Sequence, residues 1–95
     1  MSFADKFVAD AAIEPAGYRQ LTPSVAQGVS IPNARVALIQ ALSQNIRMRD
    51  DGADPTPTVG FRLHAGQSVW YIGDIVQLRM IEEAASAEVN ILGYK

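Results

Sequence analysis

The sequence predicts an all-β fold: a small antiparallel β-sandwich or barrel of about seven short strands, preceded by an extended N-terminal arm. Three observations lead there. Thr58–His64 alternates strictly, with Val59, Phe61 and Leu63 on one side and Thr58, Gly60, Arg62 and His64 on the other, the period-two pattern of a half-buried strand. Arg35–Ala41 holds the strongest apolar run, VALIQA, and is apolar on both sides, as a strand buried centrally or against a partner would be. Turn signals such as Pro32-Asn33, Asp51-Gly52, Ala65-Gly66 and Gly73-Asp74 separate about seven short strands at roughly ten-residue spacing, the rhythm of a sandwich or barrel.

The 95 residues form one domain, with residues 1–23 as the arm and 24–95 as the β domain. In the arm, Ser2 and Asp5 suit the start of a short helix, on which Phe3, Phe7 and Val8 share a stripe. Such a helix is too short to be stable alone. These three side chains are therefore candidate anchors on a neighbouring subunit. Pro15, Gly17 and Pro23 are expected to break regular structure after it.

Ser24–Ile31 is expected as a short strand, with Val25, Gln27 and Val29 on one side. Proline presets φ and asparagine tolerates the left-handed region, so Pro32-Asn33 turns the chain into the Val36–Ala41 strand. Leu42–Gln44 turns again. Ile46 and Met48 then point inward and Arg47 and Arg49 outward. Residues 50–57, DDGADPTP, form an acidic, proline-bearing loop. Thr58–His64 follows, with Phe61 assigned to the core. A hairpin turn at residues 64–67 places Gly66 at a positive φ and leads into the strand Ser68–Ile72. After a short turn at Ile75–Gln77, strands are expected at Leu78–Glu83 and Glu88–Tyr94.

Composition excludes several functions. There are no cysteines, so the chain offers no disulfide and no thiolate nucleophile or ligand. A domain of this size buries only roughly 60–65% of its unfolded surface, and small domains without disulfides or metal often gain stability by oligomerising. The net charge of -2 argues against nucleic acid as a partner. No apolar run approaches the length of a membrane span, and no signal-peptide pattern stands at the N-terminus, which predicts synthesis in the cytoplasm.

No motif for catalysis is visible. His64 is the only histidine and stands beside a turn, without a recognisable nucleophile. Glu82 and Glu83 are adjacent and would point to opposite faces of a strand, so they do not converge on a substrate. Asp50, Asp51 and Asp54 lack the EF-hand pattern, and solvated turn-capping aspartates are the simpler reading. No cofactor or metal is expected. Arg47 and Arg49 are candidate partner-binding residues, pairing either with the loop carboxylates or with acids of a neighbouring chain. Trp70 is a further contact candidate. With Tyr71 and Tyr94 it also offers the aromatic surface on which a glycan would stack, although at least one of these rings is expected in the core.

From residue 31 onward the chain resembles small virion proteins of tailed bacteriophages and prophages. These share an RxRDDGxxPT loop, a VGxxLxAGxxxWYxGD hairpin and a closing LRFIEEAAGAxLNVLxY segment. Here those parts stand as Arg47–Thr56, Val59–Asp74 and Leu78–Tyr94. Two departures are Met80, where an aromatic is frequent, and Ser86, where glycine is usual. The resemblance implies a non-enzymatic virion component made in the host cytoplasm. Capsid decoration by a homo-oligomer, a trimer above all, on the major capsid or other virion proteins is the leading expectation. A head–tail or tail-associated role, or a host-glycan-binding module, is the alternative.

Overall fold

The computed structural model describes residues 14–95. Phe3, Phe7 and Val8, with the expected short helix, lie outside them. The fold is an antiparallel β-sandwich of two four-stranded sheets. Its strands are β1 (Pro15–Leu21), β2 (Gln27–Gly28), β3 (Val36–Ala41), β4 (Ile46–Arg49), β5 (Phe61–Leu63), β6 (Ser68–Ile72), β7 (Arg79–Glu82) and β8 (Val89–Tyr94). The first sheet runs β1-β8-β3-β6 and the second β2-β7-β4-β5.

β3 lies between β8 and β6, and this central place accounts for its apolar residues on both sides. Ala37, Ile39 and Ala41 point into the sandwich and are fully buried, beside Val89 and Ile91 of β8. The facing layer is Ile46 and Met48 of β4, Met80 of β7 and Leu63 of β5, with Leu21, Val29, Ile31, Leu78 and Ile75 closing the ends. Ile31 packs down onto Gly93, where a Cβ would come within 2.8 Å of its Cγ2. That approach fixes glycine at the inward position of β8.

Three elements differ from the sequence expectation. Residues 15–21, counted with the arm, form β1, which pairs along β8 from Pro15↔Tyr94 to Leu21↔Val89. Pro15 and Gly17 do not break it, because β1 is an edge strand and its register shifts between those two residues, the irregularity edges accommodate. Removing residues 1–22 would therefore remove a sheet strand. The Ser24–Ile31 strand contracts to the two residues of β2, so Val25 is exposed while Val29 and Ile31 turn into the core.

The Thr58–His64 strand also shortens. Thr56 and Val59 close a tight bridge within the loop, each N–H donating to the other's carbonyl at 2.9 and 3.1 Å. Gly60 then takes φ +137, with Met48 O only 3.1 Å from where a Cβ would stand, and β5 starts at Phe61. Phe61, assigned to the core, is 68% exposed. It pairs with the buried Met48 and so takes the inward side of the sheet. Being on the edge strand, it has nothing beyond it to close over the ring.

The expected turns hold their geometry. Asn33 has φ 68 and Gly66 φ 83. Gln67 N–H closes the 64–67 turn on His64 O at 2.9 Å. Ile75–Gln77 is a single 3-10 turn whose first residues are capped by the Asp74 side chain. Ser86, where glycine is usual in the resembling proteins, has φ 71, which strains a residue bearing a Cβ.

These environments predict three stability effects, read from denaturant midpoints. Ile39→Ala removes a fully buried side chain and is expected to cost about 2–5 kcal/mol. Phe61→Ala, at its exposed edge position, is expected to change stability by less than about 1 kcal/mol. Ser86→Gly relieves the positive φ and is expected to stabilise by about 1 kcal/mol.

Candidate functional site: a charged face, an apolar face and an open edge

The two sheets turn outer faces of different chemistry to their surroundings. On the second sheet, the register sets Arg47 beside Arg62 and Arg49 beside Arg79. Like charges directly opposite each other on one face repel, so each pair needs carboxylates. Glu83 accepts from Arg47 Nε at 2.5 Å and from Arg62 Nε at 2.7 Å. Arg49 donates through Nε and Nη2 to the two oxygens of Asp51 at 2.9 and 2.6 Å, a bidentate fork. Arg79 Nε donates to Asp54 Oδ1 at 2.5 Å.

The acidic loop thus folds back over its own sheet, with Asp51 on Arg49 and Asp54 on Arg79. Among the described residues no group of histidine, cysteine and carboxylate side chains is placed to hold a metal ion. The pairing also bears on the two arginine candidates. Arg49 is held by the loop, as one of its two expected pairings has it. Arg47 is held instead by Glu83 and by the Gly60 carbonyl at 3.0 Å. Sequence reading missed Glu83, because its partners lie 36 and 21 residues away and nothing local links them.

The Glu83 carboxyl is held below its usual range, by the Arg62 hydrogen bond first, then by those from Arg47 and Asn45. A folded-state value below the unfolded one stabilises at pH above the unfolded value and loses that contribution as pH falls through the folded value. Glu83→Gln is accordingly expected to lower the urea midpoint at neutral pH. It should also flatten the decline of that midpoint below about pH 4.5, and a midpoint profile against pH checks both.

The outer face of the first sheet is different. Its cross-strand pairs align Trp70, Leu38, Leu92 and Tyr18 in one row from β6 to β1. Beside it run Ile72, Val36 and Tyr94. A polar row of Ser68, Gln40, Asn90 and Gln20 borders them, with Tyr18 Oη donating to Asn90 Oδ1 at 2.6 Å and Asn90 Nδ2 to Gln40 Oε1 at 3.2 Å. Trp70 and Tyr94 stack at a tilt, with ring centroids 5.9 Å apart. Of the candidate aromatics, Trp70 and Tyr71 leave β6 on opposite sides and Tyr94 is only 2% exposed, so the three rings do not form one flat surface. Leu38 and Leu92 were not singled out in the sequence. Their alternation is legible there, but which of two apolar faces turns outward depends on the second sheet.

The third feature is the edge where β5 and β6 end their respective sheets. Between them opens a notch of about 280 Å³, floored by Ile39, Met48, Val69 and Leu78 and flanked by Phe61 and Tyr71. Tyr71 Oη donates to Asp50 Oδ2 at 2.8 Å and approaches the Asp74 carbonyl at 3.4 Å. A Cβ on Gly73 would stand 2.7 Å from that hydroxyl. Burial, then the Asp50 carboxylate, push the Tyr71 phenol up to about 12. Because the folded value exceeds the unfolded one, the stabilisation is complete below about pH 10 and lost between about 10 and 12. Ultraviolet titration is expected to show this late-ionising tyrosine, and Asp50→Asn to bring it to lower pH.

No protein-family model, curated protein or solved structure matches the chain.

Proposed function

We propose that this protein is a non-enzymatic structural component of a tailed-phage virion, a capsid decoration protein that works as a homo-oligomer by burying surface at subunit joints. The observation that carries the assembly reading is the row Trp70–Leu38–Leu92–Tyr18 with Ile72 and Val36 beside it. An antiparallel sheet with one face on the core ordinarily turns polar residues to the other. Contiguous apolar surface on an outer face marks an interface. The virion assignment itself comes from the resemblance of residues 31–95 to phage proteins. Structural motifs carry that resemblance: the aspartate loop that pairs with Arg49 and Arg79 and the glycine hairpin both serve the scaffold.

Under this reading the arginine face stays solvent-facing with its charges internally balanced, and the first sheet's outer face meets the neighbouring protein. Phe3, Phe7 and Val8, outside the described residues, remain proposed anchors.

Mass spectrometry of purified virions tests the assignment. Copies on the order of hundreds fit capsid decoration, about six or twelve would move the protein to a neck or tail ring, and absence would sink the virion reading. The face is tested separately with Leu38→Asp. The variant is expected to keep the wild-type circular dichroism but fail to co-sediment with particles lacking the protein. Undiminished co-sedimentation would place the attachment elsewhere.

A further inference from the structure

We infer that the open edge between β5 and β6 is a docking notch for a segment of a partner protein that presents a lysine or arginine side chain between apolar residues. The inference is independent of the virion assignment, and the notch shares only Trp70 with the apolar outer row.

The notch has the size of one long side chain. Its volume of about 280 Å³ lies just under the range of small-molecule pockets, and its floor reaches the main core at the buried Ile39, Met48 and Leu78 and the half-buried Val69. Phe61 forms one wall and is 68% exposed although it occupies an inward register position. A large aromatic in that position contributes to packing only if something fills the space beside it.

The charge at the rim selects the occupant. Among the described residues Arg49 is the one cation lining the notch, and it is taken up by Asp51 in a two-pronged pair. Asp54 and Glu83 are likewise paired with arginines. Asp50 and Asp74 are not: among the described residues, Asp50 accepts from the Tyr71 hydroxyl and Asp74 from the Val76 amide, and neither meets a cation. The same chain that neutralises three carboxylates on the arginine face leaves Asp50 in the notch lining without a cation, with Asp74 behind the Tyr71 hydroxyl. With Arg49 taken up by Asp51, Asp50 is the uncompensated charge beside the apolar floor. A lysine or arginine fits both halves, laying its methylene stem on Val69 and Leu78 and bringing its charge to Asp50 beside the Tyr71 and Phe61 rings. An anionic side chain is repelled by Asp50, and a purely apolar one leaves that carboxylate without a counter-charge.

Three blocked pentapeptides differing only at the centre test this on the full-length protein: Gly-Leu-Lys-Leu-Gly, its glutamine analogue and its glutamate analogue. Binding is followed by amide chemical shifts at low salt. The lysine peptide is expected to shift Phe61, Val69 and Tyr71 saturably and to bind about tenfold more tightly than the glutamate peptide, a preference that shrinks as salt is raised. Asp50→Asn should weaken the lysine peptide severalfold and leave the glutamine peptide unchanged. Phe61→Ser, at an exposed position, should weaken the lysine and glutamine peptides alike. Equal binding of the lysine and glutamate peptides, shifts that map to another face, or no saturable shift with any peptide would overturn the inference. If Asp50→Asn fails to fold, the comparison among peptides and the Phe61 variant decide it.

Discussion

Two sheets this small stay together only if their inner faces meet closely along one strip, and that strip is β3 with β8. Ala37, Ile39 and Ala41 alternate small and large, Val89 and Ile91 sit beside them, and Gly93 lets Ile31 descend onto the backbone. Close packing of this kind supplies the dispersion and burial that a domain without disulfides must find elsewhere. It also sets the register of the first sheet, since β8 is paired on both sides, by β1 and by β3. Once that register is set, the outer row Trp70–Leu38–Leu92–Tyr18 is set with it.

The second sheet solves a different problem. Its outward positions carry arginines at adjacent places on neighbouring strands, which is unfavourable without counter-charges. The 50–57 loop and Glu83 provide them, and in doing so wrap the loop against β4 and β7. The loop's composition is thus explained by the sheet it covers. Individually exposed ion pairs contribute little to stability. Their larger consequence here is positional, because a loop tied down through Asp51 and Asp54 holds Asp50 at the Tyr71 hydroxyl.

Much of the candidate site was legible before the structure. The outward direction of Arg47 and Arg49 follows from alternation with Ile46 and Met48, and the special dihedral at Gly66 follows from the hairpin pattern. The Val36–Ala41 run marked itself as central by being apolar on both sides. What local pattern could not supply was the identity of charge partners distant in sequence, Glu83 above all, and the fate of residues at sheet edges. Phe61 has the right parity for the core and the wrong place in the sheet: alternation reports which side a residue faces, not whether another strand lies beyond it. Pro15 and Gly17 misled in the opposite direction, since both are tolerated at an edge strand whose register is irregular.

By itself the sequence determined the all-β class, the turns, the alternation of β3, β4, β6 and β8, the inward face of β4, and the absence of thiol chemistry. These are local properties, governed by side-chain period, by φ restrictions at proline and by the freedom of asparagine and glycine. Only the tertiary structure decided that residues 15–21 join the first sheet, that the acidic loop serves the arginine face, and that Phe61 borders an open notch. Each of these depends on strand order, and strand order is chosen by how the two sheets bury their common core, a sum over contacts between residues far apart in the chain.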